Sequence, residues 1–419
     1  VAQPGVAGEV AMSQAKPRHL LDGYKVLDFT HFVAGPTATR TMAGMGAEVV
    51  KVELAPNGDQ ARTVAFLRDK RSAYFIQQNR GKQGICVDMK KPAALALIKE
   101  LLPKFDVMVE NFAPGVIGSM GLDYETVRSI NPGIVMCSIS TFGQTGPLAK
   151  DTGFDFIGQA YAGITSLIGE EDGPPYVPMV AIGDVLTGMH AMGAIVSALL
   201  YRSKTGEGQY IDVSLLDSYL HCQTIGVELY SASGGKSEIT RSGLHHPSLA
   251  PAGSFKGKKW YIIILAWLDP HWERVCEAMG RPELARDPRY LDSEARSLHK
   301  QEIIDLIQAW LEQMPSDEAA LEVLRSKRVP VAPILSVSEA MMHPHARERG
   351  SIRKVHDEML GDFEIPGFPL RFSGFPEELE LTAPLLGEHN EQVLRTHLGY
   401  SPEQIRQLVK DRVLHSAPY

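Results

Sequence analysis

The six residues Gly183-Asp184-Val185-Leu186-Thr187-Gly188 set one carboxylate between a glycine and a long apolar helical pattern. A carboxylate needs no neighbouring base to act as a nucleophile. An aspartate in water has a pKa of about 3.9, so it is anionic at neutral pH and can attack an activated carbonyl held against it. Gly183, without a Cβ, would leave room for a bulky thioester, and helix N-terminal amides would face the developing negative charge. Asp is equally a common helix N-cap, its oxygen accepting a first-turn amide, and this segment alone fits either role. Downstream, Val185, Met189, Met192, Val196 and Leu199 fall at helical spacing beside a stripe of small residues, Thr187, Ala191, Ala194 and Ala198. The pattern predicts a helix that begins at or beside Asp184 and stops at Thr205-Gly-Glu-Gly208.

Other chemistries find less support. The chain has no H-E-x-x-H and no G-x-S-x-G, and His245-His246 and His343-Pro-His345 lack a carboxylate or thiol at ligand spacing, so no metal site is expected. Gly143-Gln-Thr-Gly146 does not have P-loop spacing and reads as a glycine-rich turn. Gly44-Met-Gly46 closes a helix and enters a strand, the reverse of a dinucleotide fingerprint, which assigns both glycines to a helix C-terminus with φ > 0. A net charge of -8 over 419 residues offers no basic field for nucleic acid. Cys86, Cys137, Cys222 and Cys276 are too far apart for a C-x-x-C pair and read as reduced, buried thiols of a cytoplasmic protein. Residues 1–20 lack the pattern of a secretory signal and read as a disordered leader or non-native remnant before a start at Met12. Tyr261 to Leu268 and the interrupted Ala191 to Tyr201 fall short of the roughly 20 residues that span a bilayer, so no membrane partner is expected.

The elements that would position Asp184 follow from the alternation along the chain. Short β-rich runs, YKVLDFT, AEVVKVE, GICVDM, FDVMVEN and GIVMCSIS, are separated by helical stretches: one opened by Pro36, Pro92 to Leu102, and Tyr124 to Ile130. Near-continuously apolar strands alternating with helices predict a parallel sheet covered on both faces, an α/β fold with a Rossmann-like large domain. After the strand YIDVS and a helix to about Ser231 comes a stretch rich in Gly, Ser, His and Pro. YIIILAWL, DPHWERVCEAMG, HKQEIIDLIQAWLEQM and SDEAALEVLRSK then suggest a smaller α+β domain, and FEIPGFPLRFSG and PLLGEHNEQVL return to strands and a final helix. The expected organisation is a large domain over 21–230, a linker over 231–253, a small domain over 254–350, and a segment over 351–419 that rejoins the large one.

VLDFTHFVAGPTAT, GAEVVKVE, NRGKQGICVDMK, DVMVENFAPG, TFGQTGP, IGDVLTGMH, KTGEGQYIDVSLLDS and PLLGEH occur in this order. From Leu21 to about Leu398 the chain resembles the class III CoA-transferase family, which includes formyl-CoA and carnitine CoA-transferases and, as a divergent branch, α-methylacyl-CoA racemases. The resemblance makes Asp184, in the G-D-x-x-x-G block, the catalytic nucleophile. It implies coenzyme A or acyl-CoA as substrate with no tightly bound cofactor, a carboxylic acid as acceptor, and an interlocked homodimer. It assigns CoA contacts to Ala34, to Val87, Asp88, Met89 and Lys90, and to Asn111 and Phe112. Each has a plainer alternative: Ala34 and Val87 could pack, Asp88 could cap a turn, Lys90 could be solvated, and Asn111 could satisfy loop backbone. Departures from the family pattern are Val33 for Gln in the first loop, Leu54 and Ser119 for basic phosphate contacts, and a missing tetraglycine loop, which speak against an oxalate-dependent formyl transferase. Where the racemase branch has His, Gly153-Phe154-Asp155 carries a Phe, which exchanges no proton, and this favours transferase over isomerase.

Overall fold

The computed structural model of the chain describes residues 19–376 and 378–417. The leader expected over 1–20 therefore lies outside the described residues, apart from its last two. Contacts divide the described chain into two compact units, one formed by the residues up to Thr152, Asp184–Ser214 and Lys354 onward, the other by Gly153–Gly183 and Leu215–Arg353. This grouping departs from the boundaries read from the sequence at 153–183 and 215–253.

The first unit is built on six strands: β1 (Lys25–Asp28), β2 (Glu48–Leu54), β3 (Lys82–Val87), β4 (Val107–Glu110), β5 (Val135–Ser140) and β6 (Gln209–Ser214). They hydrogen-bond in the order β3-β2-β1-β4-β5-β6, every pair parallel. The central strands are largely apolar because both faces are buried, whereas β6, at one edge, is half-exposed. Leu27, Val50, Ile85, Met108 and Met136 face one core, and Val26, Val49, Val107, Val109 and Val135 face the other. The chain reverses direction between β1 and β4, the switch point where open α/β sheets bind ligands beyond their strand carboxyl ends.

Three helices cover the sheet near that point: α1 (Ala34–Gly44), α2 (Pro92–Leu101) and α3 (Tyr124–Ile130); a fourth, α4 (Ile182–Thr205), carries Asp184. At 24 residues α4 is long and apolar enough to cross a membrane, contrary to the sequence expectation that no stretch reaches that length. Its Ala191, Ile195, Ala198 and Leu199 are nevertheless packed into the core with the sheet and α1. Gly46 has φ +93°, as expected after a helix, but Gly44 is helical, and a Cβ there would lie 2.6 Å from the Phe368 ring.

The outer edge of β3 is not left open. The His389 amide bonds the Gly84 carbonyl (2.9 Å), Asn390 accepts from the Cys86 amide (3.0 Å), and the His415 amide bonds the Cys86 carbonyl (2.9 Å). These partners flank two helices, Asn390–Leu398 and Pro402–Lys410, where the sequence suggested one.

The second unit holds an antiparallel sheet of β7 (Ala252–Lys256), β8 (Tyr261–Leu265) and β9 (Val331–Pro333) with β8 central. The strict alternation of β8 buries Ile262 and Ile264 beneath Trp272, Ile303, Ile307 and Leu324. Cys86, Cys137 and Cys276 are buried free thiols, but Cys222 is exposed, against expectation.

Candidate active site

The loop from β1 to α1 is fixed atom by atom. Asp28, at the end of β1, accepts from the Thr30 amide (2.8 Å) and hydroxyl (2.5 Å); Lys51 Nζ donates to the Thr30 carbonyl (2.6 Å). Asp59 accepts from the Phe32 amide (3.2 Å). Asn111, following β4, accepts from the His31 amide (2.8 Å) and donates to its carbonyl (2.9 Å), so one side chain closes both ends of that peptide. Phe32 is held at φ +59°, a left-handed conformation that a residue with a Cβ keeps only where its surroundings impose it.

Beneath the loop lie four charges removed from water. Asp28 pairs with Lys82 at 2.8 Å and Lys51 with Asp59 at 2.9 Å. Burial alone would raise the Asp28 carboxyl, but Lys82 and Lys51 beside it bring it down to about 2. Two cations and two anions make the set neutral, the condition under which charges persist in a sheet interior.

Above the loop is a cleft of about 210 Å³ lined by Phe29, Thr30, His31, Glu53, Asp59 and Phe112 among others. Its walls are the carboxyl ends of β1 and β2 and the turn after β4, beside the switch point. The His31 ring lies 5.2 Å from the Phe112 ring, and burial holds its pKa below the ordinary value, which keeps it neutral near pH 7. Glu53 is neutralised by Arg62 at 2.6 Å, whose guanidinium stacks 3.7 Å over Phe75.

Of the residues singled out in the sequence, Asn111 and Phe112 meet at this cleft. Val87 ends β3 and Asp88, Met89 and Lys90 follow it, two strands from β1, and none of the four lines the cleft. The Asp88 amide bonds the Val413 carbonyl (2.9 Å), and its carboxylate accepts from the Lys90 amide (3.2 Å), a turn-capping arrangement.

Asp184 sits in the first turn of α4, two residues inside the helix start at Ile182, rather than at its N-cap. It is half-buried. One turn on, Gly188 lies against α1: a Cβ there would collide with the Ala34 carbonyl oxygen and come within 2.7 Å of Thr37 Cβ. Ala34, the first residue of α1, and Gly188, one turn after Asp184, thus meet where two helices cross near their N-termini, and the Val33 N-cap of α1 has no side-chain cap. Tyr74 borders the same place; burial, then the charges of Asp184 and Asp59, push its hydroxyl up to about 12. Gly188→Ala is expected to cost about 1–3 kcal/mol by overpacking this crossing, read as a lower midpoint in denaturant.

Gly183 differs from its sequence reading. It is buried, and its amide donates to the Tyr219 hydroxyl (2.9 Å), which donates to Asp155 (2.7 Å). A Cβ would strike the Tyr219 ring and Asp155, so the glycine is required by this packing and not by room for a thioester.

Residues 21–390 match the profile of CoA-transferase family III. The chain belongs to that family. It is 34% identical to the human succinyl-CoA:glutarate CoA-transferase over 96% of its own length and 91% of the relative's. The succinyl-CoA–D-citramalate CoA-transferase of Chloroflexus aurantiacus is 36% identical, covering 96% of this chain and 100% of the other. The crystal structure of a CaiB/BaiF family protein from Brucella suis superposes with a TM-score of 0.79 at 34% identity over 90% of this chain and 99% of that one.

In this class III CoA-transferase, sequence reading missed His31, the Glu53 and Asp59 walls, and the charges beneath the loop. A signal was present. Asp28 in VLDFT, and Lys51 and Glu53 in VVKVE, interrupt strands otherwise apolar on both faces, and a charge at such a position requires a partner from elsewhere in the fold.

Proposed function

We infer that Asp184 is the nucleophile of a CoA transfer from an acyl-CoA donor to a carboxylic acid. The observation that carries this reading is the half-buried carboxylate in the first turn of α4, one turn before Gly188 packs that helix against the Ala34 carbonyl. Its carboxylate attacks the thioester carbon, the C–S bond breaks, and CoA thiolate leaves an aspartyl mixed anhydride. The thiolate then attacks the aspartyl carbon and releases the donor acid, giving an aspartyl-CoA thioester. The acceptor carboxylate attacks that thioester to form a second anhydride and free thiolate. Attack of the thiolate on the acceptor's acyl carbon forms the product and returns Asp184 as carboxylate. Activated bonds are exchanged throughout, so the cycle requires no nucleotide hydrolysis.

Ala34, Asn111 and Phe112 hold CoA at the switch point, with Val87, Asp88, Met89 and Lys90 reaching it from the end of β3; Lys90 is the cation suited to phosphate. The names of the relatives support succinyl-CoA as donor and a dicarboxylic acid as acceptor. Exposed Phe154, Tyr161, Met179 and Val180 in the second unit support burial against a second copy, the interlocked homodimer. Four free thiols suit the reducing cytoplasm.

Rapid-quench mass spectrometry of the protein mixed with succinyl-CoA is expected to find CoA in thioester linkage on the peptide carrying Asp184. Persistent absence of any adduct during turnover would rule out the covalent route, and deuterium exchange at the substrate α-carbon would indicate isomerisation instead.

A further inference from the structure

A second group of ionisable side chains lies on the far side of the switch point. Glu110, Ser138 and Asp212 are Cα partners across β4, β5 and β6, a single row at the carboxyl ends of three parallel strands. In-register residues of parallel strands project to the same face. Glu110 is buried, and its carboxyl accepts from the Phe112 amide (2.8 Å). Asp212 accepts from the Gln144 amide (2.9 Å), in the loop where the Gly143 amide also bonds Ser140 (3.0 Å). One end of the row therefore grips the turn that carries Phe112 into the cleft, and the other grips the loop after β5.

We propose that Glu110 is a positioning residue: through the Phe112 amide and its row with Ser138 and Asp212, it sets how firmly the Asn111–Phe112 turn is held for the CoA thioester. The proposal rests on the functional reading above for the identity of the ligand. Burial, with the Asp212 charge adding to it, pushes the Glu110 carboxyl up to about 7. The groups coupled to it are Asp212 and Tyr210 of β6 and Cys137 of β5, the thiol lying on the opposite face of the sheet. The helices over this face present Ala94, Leu97, Ile98 and Val127, with the Tyr124 ring 5.0 Å from that of Tyr210, and so contribute no compensating cation from these positions.

The direction follows from the charges. Burial and the Asp212 charge oppose ionisation, but the Phe112 amide favours it, because an ionised carboxylate accepts that bond more strongly than a neutral one; ionised Glu110 therefore holds the turn more firmly. CoA binding should tighten as pH rises through the neutral range.

Calorimetric titration of the full-length protein with free CoA at several pH values from 6 to 8 tests this. Wild type is expected to gain about tenfold in affinity across the range relative to Glu110→Gln, since a tenfold change corresponds to one pKa unit between free and bound protein. Ionisation of CoA itself is common to both proteins and cancels in the comparison. Glu110→Gln keeps an acceptor for the Phe112 amide and should bind as wild type does at pH 6, whereas Glu110→Ala should bind more weakly at every pH. Parallel profiles for wild type and Glu110→Gln would overturn the proposal, as would unchanged affinity in Glu110→Ala. Failure of wild type to bind CoA at any pH would instead count against the functional reading.

Stability gives a separate readout that a folding role alone already predicts. The folded protein retains a proton on Glu110 that the unfolded chain releases, so this group's contribution falls as pH rises from 4.5 to about 7 and is constant above. Glu110→Gln removes that slope. Affinity and stability together separate positioning from mere structural support.

Discussion

Asp184→Ala is expected to abolish CoA exchange while leaving the fold and CoA binding in place. The side chain is half-buried in the first turn of α4, and that helix is anchored by other residues: Gly188 on α1, and Ala191, Ile195, Ala198 and Leu199 in the core. Alanine is the best helix former, so the backbone tolerates the change. What disappears is the only atom proposed to bond the acyl group, and loss of a covalent nucleophile typically costs on the order of 10⁴-fold or more in turnover. Initial rates of succinyl-CoA-dependent transfer to a panel of dicarboxylic acids, alongside calorimetry with CoA, measure both halves of the expectation. Exchange within tenfold of wild type would remove Asp184 from the chemistry. Loss of CoA binding together with activity would assign it to the binding surface instead.

The second large effect is thermodynamic. Lys82→Met is expected to cost about 3–5 kcal/mol, because it leaves the fully buried Asp28 without its nearest cation. Denaturant unfolding reads the loss as a lower midpoint at unchanged slope. The sign of the pH dependence is fixed by the same pair. Asp28 is held from 3.8 down to about 2 in the folded protein, so its contribution is complete above the higher value and is lost as pH falls toward the lower one. In Lys82→Met that protection weakens, and the acid limb of the stability curve should move to higher pH. An acid limb identical to wild type would show that Lys51 alone compensates Asp28. Thr30 hangs on Asp28 by two hydrogen bonds, so the variant should also loosen the cleft wall and raise the KM for acyl-CoA more than it lowers kcat.

The parallel sheet was legible because burial on both faces leaves a local imprint: most strands are largely apolar runs, and helical periods alternate with them. Asp28, Lys51 and Glu110 break those runs, a signal that the residues singled out in the sequence did not include and that does not say what each charge meets. Their partners, Lys82, Asp59 and the Phe112 turn, are set by strand order, which no local pattern encodes. Asp184 could be placed on a helix but not within its first turn, since Ala181-Ile182-Gly183 carries no capping side chain to mark the start. Gly183 was misread for a related reason. A missing Cβ signals close approach, and only the tertiary fold reveals that the Tyr219 ring is what approaches. The exposed Cys222 and the second C-terminal helix, Pro402–Lys410, likewise depend on which faces the fold leaves uncovered.

The cover over the outer edge of β3 bears on how the chain matures on the ribosome. His389, Asn390 and His415 are supplied some three hundred residues after the strand they protect. Until they emerge, a nascent chain carries a bare ladder of amides and carbonyls, the feature that recruits foreign strands. Synthesis of this protein thus has a long vulnerable interval, one that chaperone capture would guard, and that a stalled or prematurely ended message would expose to aggregation.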